Sequence, residues 1–248
     1  MTPDVLGFLY LDFHYLLWVA LPLLVLTGLA QLWVKSSAAK YSKIPNSSGI
    51  TGAQAALGIL HEAGIHDVRV EEVQGFLTDH YDPRHRVVRL SPQIYRGRSI
   101  AAVGIAAHEC GHAIQHATKY APLVVRNIAV PAASLGSSLG YVLIFLGFLL
   151  GGAQQAGGLG SIILNLGILG FAAVVVFQII NLPVEFNASR RALQVLPQMG
   201  ILSREENAGA RTMLTAAAMT YVAATVAAIA ELLYWMWRAG LLGGHRND

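Results

Sequence analysis

Charge is what this sequence has least of. Of its 248 residues only 12% are charged and 54% are hydrophobic, against about 25% charged in an ordinary soluble domain. With a positive mean hydropathy, that balance excludes a soluble globular chain and points to an integral membrane protein. Cysteine is almost missing: the single Cys110 rules out an internal disulfide and argues against a cysteine-rich structural zinc site. The basic excess is small, a net +3, and the cations follow membrane sidedness rather than forming a patch, so nucleic acid is not an expected partner. No Lys or Arg occurs before Lys35, whereas Asp4 and Asp12 do. A signal peptide wants a basic first segment, so the first apolar run reads as a retained anchor. There is no internal repeat and no low-complexity tract.

What is present is apolar runs long enough to cross a bilayer: Tyr15–Val34, Ile128–Leu150, Ser161–Leu182 and Thr212–Trp237. Trp18 and Trp33 lie near the ends of the first, and Tyr234, Trp235 and Trp237 cluster at the far end of the fourth, as interfacial aromatics do. The fourth is rich in alanine, which suits a helix packed on other helices. Of the 17 Lys and Arg residues, eleven fall in 35–126 and four in 183–211; the 151–160 loop has none and the tail holds Arg238 and Arg246. The positive-inside rule makes the first two segments cytoplasmic and puts both termini outside.

The polar segment 35–126 has its own punctuation. Pro45–Gly49 is a linker, and Thr51–Ala63 has helical spacing with Gly64 as its stop. Val68, Val70 and Val73 suggest a strand. Phe76–Leu90 reads as a β-hairpin turning at Asp82-Pro83, ended by Ser91-Pro92. Ser99 is placed to cap the next helix. Farther on, Pro183 is expected to break the helical pattern and Val184 to begin a fresh helix.

The helix after Ser99 carries His108-Glu109-Cys110-Gly111-His112. Two histidines four apart share a helix face and can grip one metal ion; Glu109, about 100° round, can reach a water without being a ligand. That is the donor set of a zinc hydrolase with an open position for water. Gly111 would let another element approach closely. Cys110 points to the other side of the helix and is read as packing.

A catalytic zinc of this kind needs one more protein ligand. The membrane hairpin brings the start of the 183–211 segment to the surface that holds the motif helix, and this favours Glu185. His116 is the runner-up; it shares the His108/His112 face but lies about 6 Å farther along the axis, which suits packing or a supporting hydrogen bond better. Asp79, Asp82, Glu205 and Glu206 are weaker alternatives. The organisation is then 1–34 as a transmembrane anchor, 35–126 as a cytoplasmic catalytic region, 127–182 as a transmembrane hairpin, 183–211 as a cytoplasmic helix with the third ligand, and 212–248 as the fourth span and tail. The fold class is mainly α: a multi-pass membrane protein with about four transmembrane helices and a small α+β region.

Three stretches carry a family resemblance: Leu77–Pro83, Ala106–His116 and Leu182–Ala192, with Ala216–Ala224 in support. They resemble the YugP-type membrane zinc metallopeptidases of bacteria over roughly Tyr41 to Tyr221. The resemblance implies a zincin-like, gluzincin-type region, zinc held by His108, His112 and Glu185, Glu109 as the catalytic glutamate, and residence in the bacterial inner membrane. The hairpin layout is also similar to HtpX-type and CAAX prenyl-protease-type enzymes. Those usually have an aspartate four residues after the glutamate ligand, where this chain has Ser189; Asn187 or Ser189 is expected to orient a ligand instead.

The expected activity is endopeptidase hydrolysis of membrane or membrane-proximal polypeptides at the cytoplasmic face, with membrane lipid as surroundings. Tyr221, His80 and Arg190 are candidate donors to the tetrahedral oxyanion, and an extended substrate could add as a strand beside the hairpin. Two other classes compete. A scaffold or holdase with structural zinc would want four protein ligands and would have no use for a free glutamate beside them. A site-2-type intramembrane protease would need the motif within a span, but Arg96, Arg98 and Lys119 bracket it.

Overall fold

The computed structural model describes residues 15–75, 78–153 and 157–242. Phe76 and Leu77 at the start of the expected hairpin, the acidic stretch before Tyr15, part of the 151–160 loop and the end of the tail lie outside the described residues.

The chain is mainly helical. A π-helical turn at Leu16–Ala20 runs into α1 (Leu21–Tyr41). Then come α2 (Gly52–Glu62), β1 (Arg69–Glu72), β2 (His80–Asp82), β3 (Val87–Leu90), α3 (Pro92–Tyr95), α4 (Ile100–Ala117), α5 (Ala121–Leu149), α6 (Leu159–Gln198) and α7 (Arg204–Arg238). Among the described residues four stretches are long and apolar enough to cross a membrane: Leu16–Tyr41 and the helices α5, α6 and α7. The helix α4, which carries the histidines, is not among them. α6 alone is 40 residues, about 60 Å at 1.5 Å per residue, roughly twice the hydrocarbon thickness.

By its contacts the chain forms two units. One comprises residues 1–29, 125–180 and 221–248. Its core is Ile144, Leu164, Ile168, Phe171 and Val175, packed by Ala228, Ile229 and Leu232 of α7. Here α5 and α6 touch backbone to backbone: a Cβ on Gly136 would sit 2.1 Å from the carbonyl oxygen of Gly170. Small residues provide the close fit that association in lipid requires.

The other unit comprises residues 30–124 and 181–220. Thr51 opens α2 with a capping box shared with Gln54, and Gly64 follows its end at φ +69°. The three strands form one sheet in the order β1-β3-β2. β2 and β3 are the expected antiparallel pair, with His80 opposite Arg89. Asp82 Oδ1 accepts from the amides of Arg84 and His85 and so builds the turn. The valine-rich stretch supplies β1, which pairs parallel with β3. The core around Ile59, Leu60, Leu90, Val103 and Leu196 joins α2, the sheet, α4 and α6.

Two expected boundaries differ. Pro183 lies inside α6, which continues without interruption from Leu159 to Gln198. Proline removes one N–H from the ladder, but Val184, Ala188, Ala192 and Leu196 beyond it are completely buried, and that packing holds the helix through the defect. α7 begins at Arg204 rather than Thr212. Ser203 and Glu206 cap each other there, Glu206 N–H donating to Ser203 Oγ at 3.2 Å and Ser203 N–H to Glu206 Oε2 at 2.7 Å.

Candidate metal centre

Ser99 caps α4 by accepting from the amide of Ala102 at 3.1 Å, and the helix buries Ala102, Ala106, Cys110 and Ala113 in the core. That anchoring turns His108 and His112 toward α6. Gly111 sets how near α6 can come. A Cβ there would meet the carbonyl oxygen of Ala188 at 2.6 Å and its Cα at 3.0 Å, so only glycine permits the observed approach. Ala188 lies three residues after Glu185, and the contact places Glu185 opposite the two imidazoles.

One nitrogen from each of His108 and His112 and one oxygen from Glu185 lie within 4.8 Å of one another. Glu185 Oε2 is 3.4 Å from His108 Nε2 and 3.6 Å from His112 Nε2. Those separations are long for hydrogen bonds, and Oε2 is buried with no hydrogen-bond partner. Two atoms each about 2.1 Å from a zinc ion at a tetrahedral angle stand about 3.4 Å apart. The spacing and the orphaned oxygen both fit a metal ion among these three donors.

The far side of each imidazole is held. Gln115 is completely buried, and its amide nitrogen donates to the carbonyl of Val184 at 2.7 Å and to Asn187 Oδ1 at 3.0 Å. Its oxygen therefore accepts, and the partner 3.0 Å away is His112 Nδ1. The proton belongs on Nδ1, which leaves the Nε2 lone pair facing the cluster. His108 Nδ1 lies 3.1 Å from Ser189 Oγ, which can accept in the same way. Burial works to lower the His112 pKa, but the negative charges of Glu185 and Glu109 and the contact with Gln115 outweigh it, and the net shift is upward. Glu109 is 8% exposed and has no hydrogen-bond or ion-pair partner among the described residues. Leaving a carboxylate buried and uncommitted is costly.

The other expected residues fall elsewhere. His116 Nδ1 is 2.8 Å from the hydroxyl of Tyr81 on β2, outside the three-donor cluster. His80 is exposed on β2, with its Nδ1 at 2.7 Å from the carbonyl of Thr78. Asn187 reaches the histidines through Gln115 and also accepts from Arg191 Nε at 2.8 Å. Arg190 is exposed on α6, and Tyr221 belongs to the other unit. Asp79 accepts from the amide and hydroxyl of Ser91, Asp82 pairs with His85 and Arg89, Glu206 is used in capping and Glu205 is exposed. Cys110 is buried without exposure, and burial pushes its thiol pKa well up. Gln115 is the residue that spacing alone did not reveal, although it stands three positions past His112 on the same helix face.

Helices long and apolar enough to cross a membrane, with two histidines facing a buried carboxylate that could hold a metal ion, are the features expected of a membrane metal-dependent hydrolase. Residues 16–240 match the family described as "Putative neutral zinc metallopeptidase", and the chain belongs to that family. "Putative membrane protease YugP" of Bacillus subtilis (strain 168) is 48% identical over 204 residues, 82% of this chain and 87% of the relative. No solved structure matches.

Proposed function

We propose that the protein is a membrane-embedded zinc endopeptidase that hydrolyses peptide bonds at the cytoplasmic face of the bacterial cell membrane. The observation that carries this is the buried, unpartnered Glu185 Oε2 facing both histidine Nε2 atoms. His108, His112 and Glu185 would hold the ion in a gluzincin-type arrangement within a zincin-like region. When bound, zinc supplies a Lewis acid that polarises the scissile carbonyl and acidifies water to a pKa of about 7.

Glu109 has the right chemistry for the base. Its carboxylate accepts a proton from the attacking water and returns it to the leaving amine nitrogen. Gln115 and Ser189 keep both imidazoles in the ligating tautomer. β2 is an edge strand, pinned to the motif helix through Tyr81 and His116. An extended substrate adding beside it would gain main-chain hydrogen bonds with little sequence preference. His80, in the same unit as the three-donor cluster, is the donor to test for the developing oxyanion, where a lost donor costs about 10²–10³ in rate.

Zinc content and casein cleavage, measured on three variants of the purified protein, test the reading. Glu109→Gln should keep zinc and lose hydrolysis by about 10²–10⁴-fold. Glu185→Ala should lose both, and His116→Ala should keep zinc. Full activity in Glu109→Gln would end the peptidase reading. Unchanged zinc in Glu185→Ala with loss in His116→Ala would exchange the third ligand.

A further inference from the structure

A cavity of about 370 Å³ opens between α6 and α7, beside the metal centre. Ser189, whose hydroxyl contacts His108, forms part of its wall. Arg190 and Arg211 line it as well, with Phe186, Leu193 and Leu214, and no Asp or Glu does. Both arginines are exposed, and among the described residues neither has a hydrogen-bond or ion-pair partner. A second cleft, of about 540 Å³, also has arginines on its wall, but there Arg96 is paired with Glu72 at 2.8 Å and Arg98 donates to the carbonyl of Gly49 at 2.9 Å. The cavity beside the histidines thus has two uncommitted cations on one concave surface.

A guanidinium carries five donors, no acceptor and a permanent charge, and its fork matches a carboxylate. Two of them around one concavity repel each other until an anion enters. We propose that this cavity is a substrate subsite that takes an Asp or Glu side chain close to the scissile bond, held by Arg190 and Arg211. The apolar wall would pack the methylenes of such a side chain. A polypeptide carboxylate is favoured over a lipid phosphate because Ser189 belongs both to the cavity wall and to the setting of His108, so that one side chain separates the cavity from a member of the three-donor cluster. This inference rests on the peptidase reading given above.

The test uses the full-length protein with zinc in neutral detergent. The substrates are otherwise neutral peptides in which one Glu is walked along the sequence, each paired with a Gln control. At one or two positions the Glu peptide should be cleaved with a kcat/KM about 3- to 10-fold above its control, the size expected for partly exposed charge-assisted contacts. Arg211→Gln should bring that ratio to one. Arg190→Glu and Arg211→Glu should turn the preference toward Lys at the same positions, a gain that a merely destabilised protein would not show. Cleavage of no peptide at all would overturn the peptidase reading and the subsite with it. Equal cleavage of Glu and Gln peptides, or a ratio unmoved by Arg211→Glu, would overturn the subsite alone. So would variants that lose only a response to added anionic lipid, since the arginines would then serve the bilayer.

Discussion

Gln115 has no chemistry of its own, yet it touches both halves of the three-donor cluster. It accepts from His112 and donates to Val184 and Asn187, on either side of Glu185 in α6. Replacing it with Leu would take a donor from the Val184 carbonyl and an acceptor from the imidazole N–H of His112, at about 1–3 kcal/mol for a buried group left unpaired. Gln115→Leu should therefore lower the unfolding midpoint and weaken zinc binding by about 10- to 100-fold, the usual effect of removing an outer hydrogen bond to a metal ligand. Competition with a chelating dye measures the second directly. Gln115→Glu should recover more zinc affinity than Leu, because it restores the acceptor at His112 Nδ1. Equal zinc affinity in Leu and wild type would make the contact one of packing only. The shared face of His108 and His112 is legible from spacing because helical period places it; Gln115 is not, because its place depends on an amide whose partners lie 69 and 72 residues away.

Between elements, the decisive contact is Gly111 on Ala188. The sequence pointed to a close approach at Gly111 but not to its partner, since nothing local says which backbone will arrive there. A methyl group at 111 would overlap the Ala188 carbonyl and push α6 from α4, spreading Glu185 from the imidazoles. Gly111→Ala should cost about 1–3 kcal/mol of stability, as overpacking does, and should weaken zinc binding while Glu109→Gln does not. Zinc titration of both variants checks this, and undiminished affinity in Gly111→Ala would show that the helices can shift without moving the ligands. The helix ends tell a similar story. Ser99 is readable as a cap and Gly64 as a stop, and so in principle are Thr51 and the capping box Ser203-Arg204-Glu205-Glu206, the latter obscured by the more conspicuous apolar run after Thr212. Propensity alone favours a break at Pro183, but the four completely buried residues that follow it outweigh that preference.

For the molecule as a whole, composition and apolar run length were enough for four membrane-length helices, because hydrocarbon thickness sets a length that sequence states directly. Sidedness rests on charge instead. Fifteen of 17 Lys and Arg residues lie in the segments 35–126 and 183–211, and retaining them in the cytoplasm is what the positive-inside rule favours. Cysteine labelling can test this with little background. Cys110 is buried and its thiol is pushed well above its ordinary pKa by burial, so almost no thiolate is present to react at neutral pH. A cysteine at Arg84, in the exposed turn between β2 and β3, should resist an impermeant thiol reagent in intact cells and react after permeabilisation. A cysteine at Ala153, exposed after α5, should react in intact cells. The parent protein should stay unlabelled in both conditions until it is denatured. The opposite pattern at 84 and 153 would invert the topology, move the three-donor cluster to the outer face, and change the substrates within reach from nascent and cytoplasmic segments to exported ones.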